Sequence, residues 1–278
     1  MNPTLLEIEN LRISFQTRTR LVEAVRGVSF SLGREKLGIV GESGSGKSQT
    51  GRAILGLTPA PGKVETHKLI FDGIDLNRAS RETWRKLRGD RISMVMQDPK
   101  FSLNPVIPIG RQLVEAYRAH YPVTKREAET ASLKMLDAVH IRESKRVFRA
   151  YPHELSGGMG QRAMIAMMLI TDPDLLIADE PTSALDVTVQ LQVLKIMDEL
   201  VTERGMGLIF ISHDLQLVST FCDRVVVMYA GKVVEVLEAS QLEQATHPYT
   251  RGLLGCLPQI EGSPHPLPTL QRESSWSV

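Results

Sequence analysis

The sequence predicts an α/β fold with a parallel sheet at its core, a small antiparallel sheet beside it and a helical stretch in mid-chain. Three observations predict it. The apolar run Leu37-Gly-Ile-Val40 leads into a Gly-rich loop and then a helical pattern, the strand–loop–helix order of a buried parallel strand. Beyond Gly158 the pattern alternates helix, strand, helix, strand, helix, strand, as in a doubly wound sheet. Residues 6–32 instead alternate apolar and polar around the turn Thr17-Arg-Thr-Arg20, the mark of short antiparallel strands.

Taken in order, the antiparallel region continues to about Phe71, past a helix over Lys47–Leu57 and a break at Pro59-Ala-Pro-Gly62. From Asn104 to Arg149 the signals are helical, with helices over Gln112–His120 and Lys125–Val139 separated by Tyr121-Pro. A helix is expected over Met159–Ile170, a strand over Leu175–Asp179, a helix from about Val187 to Arg204 and a strand over Leu208–Ile211. No internal repeat is visible. The last stretch, rich in proline and serine, reads as a loose tail over 258–278.

Composition bounds the function. A chain of 278 residues that is 42% apolar can bury a substantial core. Its net charge of +1 gives no electrostatic reason to expect nucleic acid. Two cysteines suggest a reducing compartment and exclude a four-cysteine iron–sulfur site within the chain. No segment reaches the ~18–20 apolar residues needed to span a bilayer. No secretory signal is visible at Met1-Asn-Pro-Thr, so membrane attachment is expected through partner subunits.

The chemistry lies in four places. The run Gly41-Glu42-Ser43-Gly44-Ser45-Gly46-Lys47-Ser48, followed by Gln49, fits the pattern G-x-x-x-x-G-K-[ST]. Its glycines let backbone N–H groups turn inward around phosphate oxygens, Lys47 supplies a point charge, and the Ser48 hydroxyl is placed to ligate Mg2+. The strand Leu175-Leu-Ile-Ala-Asp-Glu-Pro181 ends in two acids. Asp179 is expected to hold Mg2+ and Glu180 to polarise an attacking water, while the same Asp-Glu-Pro-Thr-Ser run also suits a helix start. Tyr151-Pro-His-Glu-Leu-Ser-Gly-Gly158 opens a helix, so Ser156, Gly157 and Gly158 form a second helix N-terminus able to bind phosphate. One nucleotide normally needs one such loop, so the second suggests a site completed by another copy or a partner. Finally, His213 follows the apolar strand 208–211, where a buried structural histidine is the alternative.

In this order, the Gly-rich loop, Gln97 in Met-Val-Met-Gln-Asp-Pro, Leu-Ser-Gly-Gly-Met, Leu-Leu-Ile-Ala-Asp-Glu-Pro, Ser183-Ala-Leu-Asp186 and Ile-Ser-His-Asp resemble the ATP-binding subunit of an ABC transporter. The resemblance covers Leu6 to about Pro258. Longer strings, Gln97-Asp-Pro-Lys-Phe-Ser-Leu-Asn-Pro105, Tyr151-Pro-His-Glu154 and His247-Pro-Tyr-Thr-Arg-Gly-Leu-Leu254, resemble the importer branch for oligopeptides, dipeptides and nickel. The resemblance implies a P-loop NTPase core with a flanking antiparallel β subdomain and an inserted helical subdomain over about 98–167, all within an ATP-binding domain over 1–257. It implies that Gln97 contacts Mg2+ and the attacking water, that His213 touches the γ-phosphate, and that Asp186 lies in a loop crossing a dimer interface. It places Phe15 where an aromatic ring stacks on adenine, although Ile13 and Phe15 alternate like strand residues and packing accounts for Phe15 as well.

The resemblance also implies cofactors and partners. ATP and Mg2+ are the expected cofactors, with ATP on one loop covered by Ser156, Gly157 and Gly158 of an opposing subunit. The partners would be two membrane-spanning permease subunits, a second ATP-binding subunit (a paralogue rather than a second copy) and, indirectly, an extracytoplasmic solute-binding protein. The location would be the cytoplasmic face of the inner membrane, with Gln97 to Pro105 as the coupling groove. Peptide is the expected cargo, with nickel or a metal chelate as the alternative. A soluble ABC ATPase without a transporter is the remaining reading, opposed by a single cassette with no long coiled coil between Lys47 and Leu155. The chain departs from peptide-branch relatives at Gly160, where they commonly carry a basic residue, and at its C-terminus, which lacks a cysteine cluster.

Overall fold

The computed structural model describes residues 4–98, 102–256 and 276. The chain divides into two compact units, Met1–Ala79 with Ile209–Val278 and Ser80–Leu208. The loose tail expected over 258–278 lies outside the described residues apart from Trp276, and so do residues 99–101 of the expected coupling segment.

In the first unit, β1 (Leu6–Gln16) and β2 (Leu21–Leu32) pair antiparallel. At 11 and 12 residues they are long strands where short ones were expected. The reason is that β1 serves three partners: its first half also pairs β5 (Lys68–Phe71) and its second half β4 (Gly62–Glu65). Bulges in the β1–β2 register let the strand turn between these partners. The short β6 (Ile74–Asp75) closes the edge beyond β5.

The same unit holds β3 (Lys36–Val40) with the helix α1 (Lys47–Ile54), and β3 pairs parallel with β10 (Arg224–Tyr229). On the other side of β3 lies β9 (Gly207–Ser212). These strands read as continuous apolar runs because they are buried on both faces. The last strand, β11 (Lys232–Glu238), returns antiparallel on β10. The helix–strand alternation did not predict this hairpin, because its half-buried residues carry no continuous apolar run.

In the second unit, α2 (Arg81–Leu87) precedes β7 (Ile92–Val95), which pairs parallel with β8 (Leu175–Asp179). Between them run α3 (Ile109–His120), α4 (Lys125–Ala138), α5 (Ser144–Arg149) and α6 (Gly157–Leu169). Thr124 and Glu127 form a reciprocal capping box at the start of α4, which is why the helix begins right after Tyr121-Pro. Following β8 comes the 17-residue α7 (Val187–Glu203). Back in the first unit, α8 (Leu215–Phe221) follows β9 and α9 (Pro248–Gly255) follows β11.

Buried Gln112 of α3 organises the loop before it. Its Oε1 accepts from the Asn104 N–H at 2.8 Å, and its Nε2 donates to the carbonyls of Asn104 at 3.0 Å and Ile107 at 2.7 Å. Gln112→Leu keeps the volume but removes all three bonds: the Asn104 N–H and the Ile107 carbonyl lose this partner, while the Asn104 carbonyl keeps the Ile107 N–H at 3.3 Å. We expect a loss of about 2–3 kcal/mol in unfolding free energy, measured by denaturant titration.

Candidate functional site

In the first unit the loop 41–49 closes between β3 and α1. Gly46 has φ +99°, and a Cβ placed there would lie 2.5 Å from the Ala24 carbonyl oxygen, so the turn into α1 accepts only glycine. Lys47 is buried, and its Nζ donates to the carbonyls of Gly41 at 2.8 Å and Glu42 at 2.9 Å. The loop is tied outward as well. Gly231 N–H donates to Ser45 O at 3.1 Å, and Glu42 N–H donates to the Tyr249 hydroxyl at 3.0 Å. Ser43 and Gly44 are exposed at the loop crest, Ser48 and Gln49 are half-buried in the first turn of α1, and the buried atoms Ser45 Oγ and Gln49 Oε1 have no hydrogen-bond partner among the described residues. The Ser45 hydroxyl, beside a buried ammonium and a helix N-terminus, can donate to a phosphate oxygen, whereas the Gln49 amide oxygen only accepts and suits a cation or a water.

His213 sits directly after β9 and is exposed, so the buried structural histidine considered from the sequence is not found. It lines a cleft of about 390 Å³ with Gly41, Leu215, Leu253 and Cys256. Asp214 beside it caps α8, accepting from the Leu217 N–H at 3.0 Å. Phe15 is half-exposed on β1 opposite Gly62 of β4, while Ile13 is fully buried. Phe15 shares the β4-paired stretch of β1 with Ile13 but lies nearer the strand end and stays partly accessible, so it is not a core residue.

In the second unit, Asp179 ends β8 as a buried carboxylate and Glu180 follows with φ +46°, a left-handed conformation that is uncommon outside glycine and costs energy to hold. Gln97 reaches Glu180: its Nε2 donates to Glu180 Oε2 at 3.2 Å. The Asp-Glu-Pro-Thr-Ser run does not cap the helix that follows: the N-cap of α7 is Asp186, accepting from the Val189 N–H at 3.1 Å. Ser156 caps α6, and Gly157 and Gly158 form its first turn. A Cβ on Gly158 would lie 2.6 Å from Val189 Cγ1, so this glycine is what lets α6 start against α7. Ser156, Gly157 and Gly160 line a cleft of about 620 Å³ with Leu103, Pro105, Pro152 and His153.

Thus the structure groups Gly41 to Gln49 with His213 in one unit, and Gln97, Asp179, Glu180, Ser156, Gly157, Gly158 and Asp186 in the other. Taken singly, the Asp179 carboxylate, the Ser48 hydroxyl and the Gln97 amide oxygen are hard oxygen donors of the kind Mg2+ takes. A sequence profile of the ABC transporter family matches residues 25–183. The chain belongs to the ABC transporter family. It is similar to the oligopeptide transport ATP-binding protein OppD of Haemophilus influenzae, 48% identical over 97% of this chain and 84% of that protein. It is likewise similar to the dipeptide transport ATP-binding protein DppD of Bacillus subtilis, 46% identical over 92% of this chain and 77% of that one. Among solved structures it resembles the dimeric cassette MJ0796 bound to ADP and Pi, with a TM-score of 0.75 and 25% identity over 84% of this chain and 98% of that one. This ABC ATPase uses ATP, and among its described residues no helix is long and apolar enough to cross a membrane.

Sequence reasoning missed three residues that shape these groups. Buried Gln161 of α6 donates from Nε2 to the Pro181 carbonyl, joining the Ser-Gly-Gly helix to the loop after Glu180. Its position five residues beyond Ser156, in a helix otherwise apolar on its buried side, is a signal that could have found it. Tyr249 and Glu235 lie far in sequence from the loop they support; Tyr249 falls in the string His247-Pro-Tyr-Thr, which gave it no role, and no local pattern marks Glu235. Burial alone would raise the Glu235 pKa. The Thr250 hydroxyl facing it and the hydrogen bonds from Thr246 and His247 outweigh that and hold it below the ordinary value; the Thr250 contact falls short of full hydrogen-bond geometry. A carboxyl with a depressed folded pKa contributes stability above its unfolded pKa and loses it as pH falls through the folded one. Glu235→Gln should therefore flatten the loss of unfolding free energy between about pH 5 and pH 3, followed by thermal melts across that range.

Proposed function

We propose that this chain is the ATP-hydrolysing subunit of a peptide importer, working at the cytoplasmic face of the inner membrane against two membrane-spanning permeases and a second ATP-binding subunit. The observation that carries the reading is the hydrogen bond between Gln97 and a Glu180 held at positive φ. It joins the candidate base to the start of the segment that leads into α3 to α5. A change at the reacting phosphate therefore has a direct route into the helices.

In this reading the loop 41–49 binds the phosphates of ATP, with Lys47 on the β- and γ-phosphates and Phe15 against adenine. Ser48, Asp179 and Gln97 hold Mg2+, which when bound neutralises charge on the phosphate oxygens. Glu180 orients a water and accepts its proton as the water oxygen bonds to the γ-phosphorus and the bond to the bridging oxygen breaks, giving ADP and inorganic phosphate. His213 donates to the γ-phosphate. Ser156, Gly157 and Gly158 cover the γ-phosphate of the opposite subunit, and Asp186 crosses to it. Exposed Val187 and Leu191, 72% and 60% accessible and one turn apart beside Asp186, support burial of that face by another cassette. Only contacts that differ between ATP and its products can close and reopen such a pair.

The helical region over about 98–167 would carry the motion to the permeases. The apolar cleft formed by Leu103, Pro105 and Pro152, next to Val106 at 77% exposure, supports this surface as the docking place for a permease helix. Peptide as cargo rests on similarity to OppD and DppD, and the solute-binding protein would deliver it from outside. Glu180→Gln should bind ATP as the wild type does and lower hydrolysis by about 10²–10⁴-fold. Uptake of a labelled tripeptide by cells carrying only this variant should fall in parallel. Wild-type hydrolysis by Glu180→Gln would remove Glu180 as the base, and unchanged peptide uptake would remove the importer reading.

A further inference from the structure

We propose that Tyr249 is a positioning residue for the nucleotide: its hydroxyl fixes the Glu42 peptide of the phosphate-binding loop, so the turn 246–250 sets how tightly the loop holds ATP. The inference rests on ATP occupying the loop 41–49 and goes beyond it in assigning work to His247-Pro-Tyr-Thr.

Tyr249 has no solvent-accessible surface, and a buried hydroxyl needs a partner. Its partner is the Glu42 N–H at 3.0 Å, across 207 positions of sequence. Packing alone would be served by phenylalanine. The bond acts where Lys47 is also placed, because the carbonyls of Gly41 and Glu42 both accept from Lys47 Nζ. One peptide segment is thus held by the phenol on one side and by the ammonium on the other. A rotation of the Glu42 peptide would move the charge meant for the phosphates.

The phenol is itself braced. The Tyr229 ring lies 4.5 Å away centroid to centroid, and the Trp276 indole packs edge-on at 6.0 Å. The turn is clamped by Glu235, whose Oε1 accepts from the Thr246 N–H at 2.7 Å, the Thr246 hydroxyl at 3.0 Å and the His247 N–H at 3.2 Å. His247 Nδ1 then accepts from the Tyr249 N–H at 3.2 Å. The path from Glu235 through the turn to Tyr249 and Glu42 is continuous and lies within one unit. Its effect is preorganisation: a loop already ordered loses less freedom when the nucleotide binds.

The test is Tyr249→Phe in the full-length chain, assembled with its partner subunits. Equilibrium binding of MgADP should weaken about three- to tenfold, the range expected for one main-chain hydrogen bond. The KM for ATP should rise by the same factor, while kcat at saturating ATP stays within about twofold. Glu235→Gln should move KM in the same direction, and it decides the question if Tyr249→Phe does not fold. Lys47→Ala should lose MgADP binding. Unchanged Kd and KM in Tyr249→Phe, with binding lost in Lys47→Ala, would overturn the role of Tyr249 and leave the loop assignment standing. Undiminished MgADP binding by Lys47→Ala would overturn the loop assignment itself. A fall in kcat or in melting temperature at unchanged KM would make Tyr249 a stabilising residue only, and would also overturn the proposal.

Discussion

The proposed phosphate-binding role of the loop 41–49 requires its N–H groups to be held inward against their own tendency to pair elsewhere, and the surroundings of the loop in the first unit meet that constraint. Nothing in a loop of glycine and serine supplies that rigidity locally. It comes from the surroundings: Lys47 bonded to the carbonyls of Gly41 and Glu42, Gly231 bonded to Ser45, and Tyr249 bonded to Glu42. Gly46 has the Ala24 carbonyl against it. The strand β3 brings the loop to the end of a sheet buried on both faces. The hairpin β10–β11 and the turn before α9 then supply the walls.

The second unit solves a different problem. Its acids must stand at the end of a fully buried strand without being neutralised by a cap or an ion pair of the wrong kind. Asp186 takes over the capping of α7, and Arg91 and Asp174 pair at the opposite end of β8 from the two acids. Glu180 is held in a costly backbone conformation beside Gln97, where the proposed proton acceptor and the proposed mechanical link share one hydrogen bond. The Ser-Gly-Gly turn is shaped by packing, since Gly158 is where α6 meets Val189, and by Gln161, which ties that helix to the loop after Glu180.

Much of this was legible in the amino-acid order. The Gly-rich loop, the acidic strand end and the Ser-Gly-Gly helix start are local patterns, each set by the conformation of a few consecutive residues, and the apolar runs at 37–40, 175–179 and 208–211 marked buried strands of a parallel sheet without saying which strands pair. What was hidden depends on distant contacts. The length of β1 comes from its three partners, and β11 forms on the edge of β10 without an apolar signature. The exposure of His213 was not set by its neighbours, and the work of Tyr249 appears only when residue 249 is seen beside residue 42. His247-Pro-Tyr-Thr, part of one of the three strings that carried the resemblance to the importer branch, had no role attached until the Tyr249 phenol was found on the loop 41–49.

The proposed function turns on coupling of the ATPase cycle to other chains. Purification of the tagged chain from native membranes in mild detergent, with mass-spectrometric identification of what comes with it, measures that coupling. Two multi-span permeases and a second ATP-binding subunit should be recovered in fixed proportion. Recovery of the chain from the soluble fraction, active as an ATPase and without membrane partners, would contradict the coupling.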